Sequence, residues 1–353
     1  MSFFLRVSVQ DQILFARHLA IMTKAGMPLL NSLLLIQKQT RSRSFTTILK
    51  KVIVDVDNGQ FLSTSLDQFR NVFGDLFINV IRVGEASGTL VENLNYLALE
   101  LSKQQELRRK VKGALMYPMI ILLATLGIVG VLIFLVFPKI MPVFTSLKLQ
   151  LPLPTRILIN TNTFVLSYWP VILVTIFVIL FGFWGLSQIK ACRKFFHHLL
   201  LYVPIIGTVI QNMNMANFAR TFGVLLKSGV KIVESLTIAS RTLPNLVYQE
   251  ELMLAAQEIT RGGQISQYLN HRQRLFPIML SQMVEVGENT GNLSETLLYI
   301  SEYYEGEVNA ATKNLTTILE PFLLIFMGVM VGFVAIAIIM PIYGLTQGLN
   351  VRR

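Results

Sequence analysis

Residues 119–137, 169–186 and 322–340 run without a single Asp, Glu, Lys, Arg or His. A helix needs about 20 apolar residues to cross a bilayer, so each run predicts a membrane span. The stretches between them mix polar with apolar positions. Around Leu14, Ala16, Leu19, Ala20 and Met22-Thr23 the apolar side chains return at helical spacing, and Gly26 ends the stripe. Glycine just past a helix is the favoured left-handed cap, and Pro28 suits the first turn of a following helix. Gly229 repeats the stop. Sustained two-residue alternation bounded by hairpin turns does not occur. The pattern predicts an all-α membrane protein with two antiparallel helical bundles and three transmembrane helices.

The two bundles are homologous, because the chain is written twice. Phe15-Ala16-Arg17 recurs as Phe218-Ala219-Arg220, a shift of 203 residues. The same shift carries Lys24 and Gly26 onto Lys227 and Gly229, and Gly59, Ser63 and Leu66 onto Gly262, Ser266 and Leu269. It carries Gly84-Glu85 and Gly88 onto Gly287-Glu288 and Gly291, and Lys110, Pro118 and Pro138 onto Lys313, Pro321 and Pro341. A period this long means two copies of one structural unit, not a solenoid of short repeats. The register runs through a bundle and across a span, so the repeated object is a bundle with its membrane helix.

Charge sets the orientation. Lys103, Arg108, Arg109, Lys110 and Lys112 precede the first span, and Lys190, Arg193 and Lys194 follow the second. Only Lys139, Lys148 and Arg156 lie between them. By the positive-inside rule both flanks are cytoplasmic, and alternation puts the C-terminus outside, against the mild pull of Arg352 and Arg353. The expected layout is a cytoplasmic bundle over 1–115, spans over 116–138 and 168–188, and an irregular, proline-marked extracytoplasmic loop over 139–167. A second bundle follows over 189–318, then a span over 319–342 and a short extracytoplasmic tail over 343–353. Trp169 and Trp184 flank the middle span as interfacial aromatics do. The start of the chain has no signal-type apolar run before Asp11, which keeps the expected N-terminus in the cytoplasm. Composition agrees: 53% of residues are hydrophobic and 14% charged, at a mean hydropathy of +0.56, against about 25% charged in soluble domains. Of the net charge of +11, residues 1–112 supply +6, from 15 basic and 9 acidic residues. Without an aromatic-interleaved basic strip, that balance points to anionic lipid headgroups rather than nucleic acid.

Catalytic chemistry is sparse. The phosphate-binding Gly-x-x-x-x-Gly-Lys-Ser/Thr loop is missing, and the four histidines lack a helical metal-ligand spacing. One cysteine, Cys192, excludes an intrachain disulfide, so no cofactor or metal is implied. Gly84-Glu-Ala-Ser-Gly88 resembles a serine nucleophile elbow only loosely, and the second copy has Thr290 in place of Ser87. Spans without ionisable groups argue against a transporter or channel, which lines its path with them. The motif that remains is the Gly-Glu-x-x-Gly corner. Its glycines are expected to supply positive φ, and Thr89 with Glu92, or Asn292 with Glu295, to form a capping box. Glu85 and Glu288 carry two readings, hydrogen bonds to backbone amides at the corner or contact with a partner or cation. Glu320, before Pro321, is either a headgroup-facing carboxylate or an anchor between span and bundle. Pro118 and Pro321 are expected to kink or restart their helices, and Gly328-x-x-x-Gly332 offers a helix-packing face.

Taken together, these residues resemble the type II secretion system protein F family, the inner-membrane platform proteins of type II secretion, type IV pilus and competence pseudopilus machines. The resemblance covers nearly the whole chain. It rests on Val83-Gly-Glu-Ala-Ser-Gly-Thr-Leu90 and Val286-Gly-Glu-Asn-Thr-Gly-Asn-Leu293, on Met116-Tyr-Pro118 and Leu319-Glu-Pro321, and on the Lys-x-Gly turns at Gly26 and Gly229. Many relatives carry a further N-terminal segment before the first bundle, whose contacts do not carry over. The resemblance implies a non-enzymatic role in the bacterial inner membrane. The implied partners are a cytoplasmic assembly ATPase, pilin or pseudopilin transmembrane helices, other inner-membrane assembly components and a second copy of the chain, as a dimer.

Overall fold

A computed structural model describes residues 7–146, 152–204 and 206–350. Among these residues every regular element is helical. In chain order they are α1 (Val9–Lys24), α2 (Leu29–Gln39), α3 (Arg43–Asp57), α4 (Leu62–Asp67), α5 (Arg70–Ser87) and α6 (Leu90–Val131). A π-helical turn, Leu132–Val136, leads to α7 (Phe137–Ser146) and α8 (Leu153–Gln188). Then come α9 (Lys190–Tyr202), α10 (Ile206–Lys227), α11 (Ile232–Thr242), α12 (Leu246–Thr260), α13 (Ile265–Asn270), α14 (Ile278–Thr290) and α15 (Leu293–Asn350).

The internal repeat survives residue by residue. Both ends of α2, α3 and α4 recur 203 residues later as the ends of α11, α12 and α13. α1 and α10 end on Lys24 and Lys227, and α6 and α15 begin on Leu90 and Leu293. α5 differs from α14 only at its start: Gly74, at φ 80° and ψ 167°, interrupts it, so unbroken helix begins at residue 75. The counterpart of residue 75 is Ile278, where α14 begins, with Pro277 at φ −57° as its cap. A positive-φ glycine and a proline thus start the same helix by different means. Ser8 and Asp11 form a reciprocal capping box on α1. At the expected box in the second copy, Asn292 instead donates to the Glu295 side chain at 2.9 Å.

The chain divides into two compact units, Met1–Val111 with Lys194–Ala311, and Lys112–Arg193 with Thr312–Arg353. The first unit holds both bundles. Phe15, Phe45, Phe73 and Phe77 pack as a ring cluster in the first bundle, with Phe73 and Phe77 centroids 4.9 Å apart. Phe218, Phe222, Tyr248 and Phe276 anchor the second. The cores interpenetrate: Leu225, Val230 and Ile238 of the second copy are buried in the first core, and Leu107 of the first copy in the second.

In the second unit Val129, Phe137, Leu158, Val334 and Ala337 form a small core, and Thr155 Oγ1 donates to the Ala337 carbonyl at 2.7 Å. The helical stretches Leu90–Ile140 and Leu293–Pro341 are long and apolar enough to cross a membrane, and only 17% of the most apolar window of each is buried. Their apolar side chains therefore face outward, as lipid-facing surfaces must. Residues 169–186 lie within the 36-residue α8. Trp169 is exposed, while the side chain of Trp184 lies outside the described residues, as do Lys148, Arg352 and Arg353.

One proline expectation needs correction. Much of the segment expected to be irregular is helical, with Pro142 inside α7 and α8 beginning at Leu153. Pro138 follows a π-helical turn that contains Phe134, the residue four positions before it. The wider turn moves the carbonyl that the proline ring would otherwise strike. Pro154 sits in the first turn of α8, where an amide has no intrahelical partner to lose. Of the kink or restart expected at Pro118 and Pro321, the restart does not occur, since α6 and α15 run through them.

Candidate functional site

The Gly-Glu-x-x-Gly corner folds alike in both copies, and its residues divide the work. Gly88 and Gly291 end α5 and α14 in the left-handed region, at φ 74° and 72°. Gly84 and Gly287 were expected to share that role but sit in regular helix. They are small because the next helix crosses them closely. A Cβ on Gly84 would meet Leu90 Cα at 3.0 Å, and one on Gly287 would meet Leu293 Cα at 2.9 Å.

That crossing holds the glutamates over the start of a short helix. Glu85 Oε1 accepts from the Leu62 amide at 2.6 Å and Oε2 from the Ser63 amide at 2.9 Å. Glu288 accepts from the Ile265 and Ser266 amides at 2.8 and 3.1 Å and from Ser266 Oγ at 2.5 Å. The acceptors serve backbone, as the first reading held, but the amides belong to α4 and α13 rather than to the corner itself. The first amides of a helix lack internal partners and carry its positive dipole end, so a carboxylate there satisfies both needs. The Lys-x-Gly turns are equally repeated. Gly26 and Gly229 take φ 81° and 89°, and the following amides of Met27 and Val230 bond back to the Met22 and Leu225 carbonyls at 3.0 Å. Glu320 is exposed beside Pro321.

A second polar cluster joins the two copies, and sequence inspection missed it. The Arg220 Nε donates to Glu305 Oε1 at 2.7 Å, and Glu100 Oε2 lies 3.9 Å from the same nitrogen. The side chains of Arg220 and Glu100 are 7% and 0% exposed. Gln104 Nε2 donates to Glu100 Oε1 at 2.6 Å, and Lys103 Nζ stands 3.8 Å from Glu305 Oε2. Burial pushes the Glu100 carboxyl up to about 7, with the Arg220 charge opposing. Glu100, Lys103 and Gln104 come from the first copy, Arg220 and Glu305 from the second. The repeat hid the cluster: Arg220 matches Arg17, which is exposed, while Tyr303 and Ser102 stand at the positions matching Glu100 and Glu305. The usable signal was an acidic residue in one copy without an acidic counterpart in the other. Among the described residues, no three His, Cys, Asp or Glu side chains gather as metal ligands.

Comparison with known proteins follows the same register. The sequence profile of type II secretion system (T2SS) protein F matches residues 15–138 and 218–341, two segments offset by 203 residues at both ends. The chain belongs to this family. It is 34% identical over 344 residues to the type IV pilus assembly protein PilC of Thermus thermophilus, covering 98% of this chain and 84% of that one. It is 33% identical to the type II secretion system protein F of Pseudomonas aeruginosa, covering 97% and 84%. With the PilC of Myxococcus xanthus it shares 32% identity, over 98% and 82%. As a protein F family member with apolar, membrane-length helices, it is an inner-membrane protein.

Proposed function

We propose that this protein F family member is a non-enzymatic inner-membrane platform for assembling a type IV pilus or pseudopilus. On this reading a cytoplasmic assembly ATPase engages the two bundles, over 1–115 and 189–318, and its motion passes to pilin helices held beside the spans. The N-terminus is cytoplasmic, and the charged flanks rest on anionic lipid. The observation that supports the coupling role is the shared core: Leu225, Val230, Ile238 and Leu107 each lie buried in the opposite copy's interior. Two bundles built this way respond to one push together. Apolar outward faces on the spans suit lateral contact with other membrane helices and with a second copy of the chain. Co-purification of the full chain with a hexameric assembly ATPase, and loss of filaments on deletion, are the expected results. Normal filaments after deletion, with no ATPase bound, would end this reading.

A further inference from the structure

The largest cavity among those described, about 950 Å³, is lined by α9 and by the second copy, with no residue of the first. One wall is α9, which lies ahead of the second repeat and contributes Lys194, His198 and Tyr202. The other is the turn after α13, His271-Arg272-Gln273-Arg274. The first copy supplies an internal control for that turn. At the positions matching His271, Arg272 and Arg274 it has Gln68, Phe69 and Asn71. α4 and α13 nevertheless have the same bounds in register. The matching turn has one basic side chain, Arg70, at the position of Gln273, so His271, Arg272 and Arg274 are not needed to fold it, and their clustering calls for another cause.

The charges are only partly used internally. Arg272 Nε donates to Glu251 at 3.1 Å, and Lys194 pairs with Glu250. Arg274 is exposed and makes no ion pair among the described residues. Lys194, Arg272 and Arg274 face one carboxylate in the lining, Glu251. His271 Nδ1 lies 2.7 Å from the Gln267 carbonyl, which can only accept. The ring therefore donates through Nδ1. Guanidinium forks, an ammonium and imidazoles around one cavity match the several oxygens of a phosphate. Leu201, Val247 and Leu275 add apolar surface beside them, so the ligand has an apolar body as well as a charged head. Along the chain, Lys194 follows the uncharged 169–186 run by only eight residues.

We infer that this cavity binds a phosphate-bearing ligand, through Arg272, Arg274, Lys194 and the two histidines. The phosphate belongs to an anionic phospholipid headgroup or to a soluble phosphate compound. The inference deepens the lipid contact proposed above and does not require the platform role. The test uses the purified full chain in neutral detergent, titrated separately with short-chain phosphatidylglycerol, short-chain phosphatidylcholine and inorganic phosphate. Hydrogen exchange over residues 270–275 gives the local readout. The wild type is expected to bind phosphatidylglycerol about tenfold more tightly than phosphatidylcholine, the worth of one charge-assisted contact. Arg274→Gln should weaken that binding about tenfold, with an unchanged melting curve, while Arg70→Gln in the first copy leaves it alone. Saturation and protection by inorganic phosphate, with no preference between the lipids, would assign the soluble source. Equal lipid affinities with no phosphate binding, or full binding by Arg274→Gln and by Lys194→Gln, would overturn the site. Filament assembly is not read here, so either result leaves the platform role to its own test.

Discussion

A buried carboxyl whose proton is held to about pH 7 makes stability depend on pH in a definite direction. Between 4.5 and about 7 the folded Glu100 keeps a proton that the unfolded chain releases. Raising the pH through that window favours the unfolded state, by about 3 kcal/mol at its upper end. Glu100→Gln, neutral at every pH, should therefore be the more stable protein above pH 7 and converge on the wild type near pH 4.5. Thermal unfolding of the full chain in detergent across that range checks this; a variant less stable at pH 8 would show that the Arg220 attraction outweighs burial. Arg220 tests the other side of the cluster. Arg220→Met leaves the buried Glu100 without its cation and Glu305 with Lys103 alone, and should cost about 3–5 kcal/mol. Arg17→Met, at the matching exposed position, should cost within about 0.5 kcal/mol. Equal costs for the pair would mean that the ion cluster contributes nothing specific.

At the scale of elements, the most informative unit is the glutamate that closes a helix start 22 or 23 residues away in sequence. Glu288→Ala leaves the Ile265 and Ser266 amides of α13 without their carboxylate, and Glu85→Ala does the same to α4. Each should cost about 1–3 kcal/mol and speed hydrogen exchange at those amides first. Retention of ATPase by both variants is the expected companion result; lost ATPase binding with unchanged melting would instead make the glutamates contact residues. Much of this level was legible in advance. Glycine stops, the 203-residue shift and the uncharged runs located helices, corners and the two membrane-length stretches that end the repeats, because each rests on local backbone chemistry or on length. The glutamates' true partners were not legible, since contacts across α4 and α5 depend on which surfaces meet. The prolines misled for a related reason: a π-helical turn before Pro138 and a first-turn position for Pro154 make helical what composition reads as loop.

At the scale of the whole molecule, duplication concealed the most consequential feature. A repeat invites the picture of two bundles, each closing its own core. Instead Leu225, fully buried, belongs to the same core cluster as Leu33, Leu49 and Phe77 of the first copy. Nothing in the spacing of apolar residues distinguishes a helix face turned to its own bundle from one turned to a sister bundle, so this exchange became visible only in three dimensions. It has a measurable consequence. Leu225→Ala removes methyl groups from a core that belongs mainly to the other copy, and should cost about 2–5 kcal/mol. If the copies fold as one cooperative body, hydrogen-exchange protection must fall together at Leu33 and Leu49 in the first copy and at Leu252 and Leu280 in the second. If they are independent, the loss stays local or one bundle melts ahead of the other in a second transition. A single shifted transition is the expected outcome, and it is the property a platform needs: force applied to one bundle reaches the other without either first coming apart.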